Sequence, residues 1–232
     1  SGKTVLMKCL VGLFEPDSGE VLYDGESITT MNNDDRKQLR QQIGMLFQGS
    51  ALFDSMTVEQ NIMFPLDMFT KLSLKQKHEK ANEVLARVNL TGANDKFPGE
   101  ISGGMKKRVG IARAIVLNPK FLFCDEPNSG LDPKTSLVID KLIKEITIEY
   151  GMTTVVNTHD MNSVMEIGDK IIFMHQGRKE WEGTNKDIIF SKNEELNQFI
   201  FASDFLQDAK DMRMLEAKGK ISDDRDMDKL LK

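Results

Sequence analysis

Two stretches with the residue types of phosphate chemistry lie close together between Ile101 and Pro127. The first, Ser102-Gly103-Gly104-Met105, is a glycine-pair turn that leads into a basic amphipathic run. A turn before a helix leaves backbone N–H groups free to bind an anion. The second is an apolar strand, Phe121 to Cys124, that ends in Asp125 and Glu126. Since ligands bind at the carboxyl edge of such a sheet, one acid can serve a metal and the next can accept a proton, which predicts nucleotide hydrolysis.

The first four residues, Ser1-Gly2-Lys3-Thr4, match the end of the phosphate-binding pattern G-x-x-x-x-G-K-[ST]. In such a loop Lys3 reaches the β- and γ-phosphates, the Thr4 hydroxyl binds Mg²⁺, and amides at the start of the next helix hold phosphate. A four-residue match can arise by chance, but the acids at 125 and 126 favour the functional interpretation. The first glycine of the pattern and the strand before it precede Ser1, so we expect the N-terminal strands of the fold to be missing.

Composition excludes some other functions. The 232 residues carry a formal net charge of −5 with a pI of about 5.4. We therefore expect no nucleic-acid partner, because proteins that bind nucleic acid present a basic surface. No apolar run approaches the ~20 residues of a membrane span, so we expect any membrane role to come through partner proteins.

Strand and helix patterns alternate along the chain, which favours an α/β fold with helices packed on a parallel sheet. Strands are predicted at 21–25, 43–47, 121–124 and 153–157, the last two as strands buried on both faces. Helices are predicted at 57–64, 74–88, 104–117 and 136–150. The segments 171–175 and 179–183 predict a hairpin that closes the sheet edge. The densely charged stretch from about residue 203 predicts a tail that is helical in part.

Two further polar residues follow predicted strands. Gln48 can coordinate Mg²⁺ through its carbonyl and orient a water, and His159 stands where a terminal phosphate would be sensed. Taken alone, Gln48 could be a glutamine of an ordinary loop, and His159 could be a histidine with a structural role. Both alternatives stay open.

In chain order these motifs resemble the set found in ATP-binding-cassette (ABC) ATPases. They are Ser1-Gly2-Lys3-Thr4, Gln48, Ile101-Ser102-Gly103-Gly104-Met105, Asp125-Glu126-Pro127, Ser129-Gly130-Leu131-Asp132 and His159. The resemblance extends from Ser1 to about Gly183, and the signature loop, residues 102–105, is its most diagnostic part. It implies an ATPase domain at 1–185 with a P-loop NTPase (RecA-like) parallel-sheet core. A helical subdomain at about 49–118 is inserted in that core, and a helical or partly disordered extension follows at 186–232.

The resemblance also implies ATP and Mg²⁺ as cofactors and a head-to-tail dimer in which each ATP lies between two subunits. The ATP-binding residues are then Ser1, Gly2, Lys3, Thr4, Val5 through its backbone N–H, Gln48 and His159, with Ser102, Gly103, Gly104 and Asp132 at the dimer seam. The expected metal-binding residues are Thr4, Gln48 and Asp125. Glu126 is the expected general base, assisted by His159 and Gln48. We also expect Lys106, Lys107 and Arg108 to add positive potential at the signature loop.

Met105 occupies a position where many relatives have Gln, and together with the stretch 47–58 it resembles the ATPase of the Mla and MCE-type bacterial lipid transporters. That branch implies phospholipid transport, permease and MCE-domain partners, and a place on the cytoplasmic face of the inner membrane. The segment 49–67 would help to form the groove for a permease helix, with ordinary subdomain core as the alternative. An ABC ATPase for another cargo (an amino acid, lipoprotein or metal complex) and a non-transport ABC protein both stay open.

Overall fold

The computed structural model describes residues 1–201. The helices are α1 (Lys3–Leu10), α2 (Asn33–Gln41), α3 (Val58–Phe69), α4 (Leu74–Arg87), α5 (Gly103–Ile115), α6 (Pro133–Glu149), α7 (Met161–Ile167), α8 (Asn185–Phe190) and α9 (Glu194–Ile200). The strands are β1 (Leu22–Tyr23), β2 (Glu26–Ser27), β3 (Ile43–Leu46), β4 (Phe121–Asp125), β5 (Thr153–Asn157), β6 (Ile171–His175) and β7 (Arg178–Gly183). The tail predicted from about residue 203 lies outside the described residues.

A parallel sheet in the order β3-β4-β5 forms the centre of the first unit, which spans Lys3–Ser163. In its register Leu46 lies opposite Cys124, and Asp125 lies opposite Asn157. The three strands therefore end at one edge, as the alternating pattern predicted. One detail of that prediction is wrong: β4 is almost wholly buried, whereas Thr153 and Val155 of β5 are exposed.

Helices α3, α4 and α5 follow β3 and precede β4. Capping boxes at Thr57 and Ser73 start the first two of these helices, because the side chain of each residue and a glutamine three residues later satisfy free backbone N–H groups. Helix α5 packs against β3 at Gly110 of the helix. A Cβ atom at Gly110 would lie 2.7 Å from Leu46 Cδ1, so this close approach requires the absence of a side chain.

Among the described residues, the second unit contains Ser1–Gly2 and residues 164–201. Within it β6 and β7 form an antiparallel hairpin, as predicted, but as a two-stranded sheet and not as edge strands of the parallel sheet. The ring of Phe173 in β6 lies 5.5 Å from that of Phe199 in α9. In the part of the chain that the structure describes, no helix is long and apolar enough to cross a membrane.

Candidate nucleotide site

Three oxygen-bearing side chains meet where α1 approaches the ends of β4 and β5. Thr4 Oγ1 lies 3.3 Å from Asp125 Oδ1, and Asn157 Nδ2 donates to the same Asp125 oxygen. Asn157 Nδ2 also lies 3.4 Å from Thr4 Oγ1. Thr4 and Asp125 were predicted to share a metal, and the structure brings them together. Asn157 was predicted only as the end of a strand. Its membership of this cluster was therefore not predicted from the sequence.

These residues suit a hard divalent cation. Hydroxyl and carboxylate oxygens are the ligands that Mg²⁺ prefers. Asn157 Oδ1 is buried and has no hydrogen-bond partner, which leaves one more oxygen acceptor unused beside Asp125. The donor set therefore fits the Mg²⁺ that the resemblance implies.

The phosphate-loop residues lie at the start of α1. Lys3 is the first residue of the helix and Thr4 is the second, and Gly2 before them has a positive φ of 87°. That backbone conformation costs glycine little. Val5 is exposed, with its backbone in the first turn, where helix amides are free to bind an anion. Ser1 belongs to the second unit, as Gly2 does, and is exposed.

Glu126 leaves β4 in a left-handed backbone conformation, with φ of 50°. A residue other than glycine is strained there by about 1 to 3 kcal/mol, and such strain gathers at functional sites. Two main-chain bonds hold the turn: Glu126 N–H donates to Asn157 O at 2.8 Å, and Ser129 N–H donates to Glu126 O at 3.2 Å. The turn therefore begins directly after Asp125, the last residue of β4.

His159 faces the expected general base. Its Nδ1 lies 2.8 Å from Glu126 Oε2, and the imidazole is largely exposed while the carboxylate is largely buried. The Gln48 Nε2 atom lies 3.5 Å from Oγ of Ser129, which is in the loop after β4. The structure thus brings Glu126, His159 and Gln48 to the same edge of the sheet as Asp125.

The signature loop forms the N-terminus of α5. Ser102 is the N-cap, and its Oγ accepts from Met105 N–H at 3.3 Å. A Cβ atom at Gly104 would lie 2.7 Å from Thr135 Cγ2 of α6, so glycine is needed for this contact. Gly103 lies near Leu131, in the loop that also carries Asp132. These residues do not contact the Thr4 and Asp125 cluster through any hydrogen bond found within residues 1–201.

Asp132 is the N-cap of α6, and its carboxylate accepts hydrogen bonds from the hydroxyl and the backbone N–H of Thr135. These bonds hold the pKa of Asp132 below its ordinary value, the hydroxyl having the larger effect. Asp132 and the signature loop are therefore neighbours through Thr135.

One expectation about the basic residues of α5 is wrong. Lys107 does not point toward the signature loop: it is buried, and its Nζ donates to the backbone carbonyls of Gln48 and Glu126. Arg108 donates to the carbonyls of Val88 and Asn89. Both side chains satisfy carbonyl groups at helix and strand ends, a use that composition and spacing do not reveal. Lys106 has no side-chain hydrogen bond among the described residues, and its predicted effect stays a prediction.

The comparisons with known proteins identify the family. Residues 1–129, more than half of the chain, match the family model described as ABC transporter. The chain belongs to the ABC transporter family. This membership confirms the predicted family of the domain.

Similarity to solved ABC structures confirms the predicted P-loop fold with a parallel-sheet core. The chain is 32% identical to the protein in a dimeric structure of MJ0796, a bacterial ABC transporter cassette, with a TM-score of 0.72 over 79% of this chain and 81% of that one. It also matches cbiO1 from Clostridium perfringens, part of the cbiONQ transporter complex, with a TM-score of 0.74 and 32% identity over 84% of this chain and 78% of that one.

Two curated relatives of the chain are not named as ATPases of Mla or MCE-type lipid transporters, the branch predicted from Met105. The methionine import ATP-binding protein MetN of Carboxydothermus hydrogenoformans is 44% identical over 82% of this chain and 56% of that protein. The probable ribonucleotide transport ATP-binding protein mkl of Mycobacterium tuberculosis is 37% identical over 86% of this chain and 56% of that protein. The chain thus spans little more than half the length of these relatives. They give no support to the specific resemblance to Mla and MCE systems, nor to an MCE-domain partner.

Proposed function

We propose that this chain binds and hydrolyses ATP and that hydrolysis drives an ABC transporter. The observation that carries the proposal is the convergence, at one sheet edge, of a hydroxyl and carboxylate cluster (Thr4, Asp125) with a carboxylate held against an imidazole (Glu126, His159). The first group suits metal-bound phosphate, and the second suits activation of a water.

In the proposed reaction Glu126 accepts a proton from the attacking water as the oxygen of that water bonds to the γ-phosphorus. The bond from the γ-phosphorus to the bridging oxygen then breaks, which leaves ADP and inorganic phosphate. His159 holds the Glu126 carboxylate by the 2.8 Å contact and lies at the solvent side of the pair, where the γ-phosphate would enter. Gln48, beside Ser129, orients the water.

Mg²⁺, when bound, neutralises charge on the β- and γ-phosphates. Thr4 and Asp125 are the residues that would hold it, and Asn157 fixes the direction of the Asp125 carboxylate by donating to it. Lys3 reaches the phosphates from the first turn of α1, where the free backbone N–H groups of residues 3–5 complete the anion site.

A second copy of the chain completes each site. Ser102 and Gly103 are exposed at the N-terminus of α5, next to the buried Gly104, yet these three residues form no hydrogen bond with the Thr4 and Asp125 cluster of their own chain in residues 1–201. The arrangement is accounted for if they bind the ATP held by the partner, with Asp132 at the seam. A homodimer that closes on ATP and opens after hydrolysis would move permease subunits on the cytoplasmic face of the inner membrane.

Two cargoes are candidates, each with one observation in its favour. The names of the MetN relatives favour an amino acid such as methionine. Met105 in the signature loop, with the stretch 47–58, favours a phospholipid. Purifying the chain with its permease and identifying the bound small molecule distinguishes them: a lipid retained in the complex supports the second, and a solute-binding protein with an amino acid supports the first.

ATP turnover by the purified chain tests the enzymatic part. We expect hydrolysis that needs Mg²⁺ and that Lys3→Ala abolishes, because the ammonium group contacts the phosphates. A matched control is Lys75→Ala, an exposed lysine of α4. Turnover that is equal in the chain and in Lys3→Ala would contradict the proposed site.

A further inference from the structure

Lys107 is a buried cation that the proposed reaction does not use. It lies in the second turn of α5, and only 4% of the residue is exposed. Burial lowers the pKa of its ammonium group, although the nearby Cys124, Glu126 and Asp125 act in the opposite direction. Burying a charge is costly unless polar partners compensate it, so the partners of this ammonium group matter.

The partners of Lys107 are two main-chain oxygens of the site. Its Nζ donates to the carbonyl of Gln48, at the end of β3, and to the carbonyl of Glu126 at 3.2 Å. Charge-assisted hydrogen bonds of this kind are about twice as strong as neutral ones. Lys107 is thus bonded both to the residue expected to orient the water and to the residue expected to remove its proton.

The backbone of Glu126 needs such support because it is strained. Its amide is held by Asn157 O and its carbonyl by Ser129 N–H, but both of these come from the strand and loop ends around it. Lys107 supplies the contact from α5. The first turn of that same helix is the signature loop, Ser102 to Gly104, about one helical turn from Lys107.

We propose that Lys107 is a positioning residue that couples the two ATP sites of the dimer. When the signature loop binds the ATP held by the partner, Lys107 transmits the change in α5 to the main chain of Glu126 and Gln48 in its own subunit. This inference rests on the proposed function, because it needs the dimer in which the signature loop acts in trans.

Two substitutions and two controls test this role in the complete chain. Lys107→Met keeps the buried aliphatic stem and removes the donors, and Lys107→Arg restores donors. Lys75→Met is the control at an exposed lysine. Arg108→Met removes another cation of the same helix, one that donates to the carbonyls of Val88 and Asn89. This variant therefore measures how much kcat falls when only a structural contact of α5 is lost.

We expect Lys107→Met to bind ATP within twofold of the unsubstituted chain and to lose at least tenfold in kcat. Lys107→Arg should recover a third or more of that activity. A kcat of Lys107→Met within twofold of the unsubstituted value would overturn the proposal, and so would a loss no larger than that of Arg108→Met at equal melting temperature.

Hydrogen exchange gives a readout that does not need catalysis. Amides of residues 48–51 and 126–129 should exchange faster in Lys107→Met than in Lys75→Met, in the absence of nucleotide. Equal exchange in the two variants would overturn the proposal. If the unsubstituted chain fails to hydrolyse ATP while exchange still changes, the proposed function fails and the main-chain role of Lys107 stands.

Mixed dimers test which of the two ATP sites depends on a given Lys107. In a dimer with one Glu126→Gln subunit only one general base remains, and Lys107→Met can be placed either in the subunit that keeps Glu126 or in its partner. We expect the loss in kcat only in the first arrangement. An equal loss in both arrangements would mean that Lys107 acts through the signature loop alone, which contradicts the proposal.

Discussion

His159 Nδ1 and Glu126 Oε2 lie 2.8 Å apart at the carboxyl edge of the sheet. The contact joins the loop after β5 to the loop after β4, two segments separated by more than thirty residues. The carboxylate is held between this imidazole and the strained turn at its own backbone, so both its direction and its position are fixed. A general base needs this fixed direction more than it needs exposure.

Replacing Glu126 by Gln should remove the proton acceptor while the shape of the side chain is retained. We expect kcat to fall about 10² to 10⁴-fold, the contribution typical of general acid–base catalysis. ATP should stay bound and the dimer should persist, which size-exclusion chromatography with ATP and Mg²⁺ can measure. Unchanged turnover in Glu126→Gln would show that another group removes the proton.

Asn157→Ala should weaken the metal site without removing a predicted ligand. The Asn157 amide fixes Asp125, and the loss of such an outer contact typically costs 10 to 100-fold in metal affinity. We expect the Mg²⁺ concentration for half-maximal hydrolysis to rise by about tenfold. Asn162→Ala, a substitution of an exposed asparagine side chain after β5, is the control. The same Mg²⁺ requirement in both variants would exclude a role for Asn157 at the metal.

The carboxyl group of Asp132 should titrate abnormally because of Thr135. Its depressed pKa in the folded chain contributes stability at pH values above the unfolded pKa of ~3.9, and that contribution is lost as the pH falls through the folded pKa. Thr135→Val removes the hydroxyl donor, so the pKa of Asp132 should rise toward its ordinary value. NMR titration of the carboxyl carbon measures this, and an unchanged pKa would show that the backbone N–H alone causes the shift.

A methyl group at Gly104 should displace the signature loop. The added Cβ would lie 2.7 Å from Thr135 Cγ2, so Gly104→Ala should lower the melting temperature and the ATP-dependent formation of dimers. Thr135→Ser removes the Cγ2 methyl group and retains the hydroxyl that bonds Asp132. The double variant should therefore recover most of the loss. A double variant as impaired as Gly104→Ala would locate the clash elsewhere.

Much of the fold could be predicted because its signals are local. The strand at 153–157 agrees to the residue, and α5, predicted over 104–117, spans Gly103–Ile115. Helix α2 was missed because it is almost entirely polar and lacks an apolar period. Its remaining signal was Asn32, which caps it and is followed by acids in the first turn.

Sequence motifs name most of the candidate site residues that the structure brings together, whereas Asn157 and Lys107 belong to no motif that was recognised by its chemistry. Asn157 ends a strand like many polar residues, and only the register that places it opposite Asp125 reveals its use. Lys107 was expected to add positive potential at the signature loop, and its burial is unusual for a lysine. Its carbonyl partners come from two distant loops, and no spacing within the sequence records that arrangement.

Gly44 of β3 and Ala114 of α5 leave no room for a side chain between strand and helix, since a Cβ at Gly44 would overlap the Ala114 carbonyl. The main chains of β3 and α5 are therefore in direct contact at this point. A displacement of one is passed to the other with no side chain in between to absorb it by changing rotamer. The mechanical link between α5 and β3 is therefore a property of the main chain and does not depend on which side chains cover the surface.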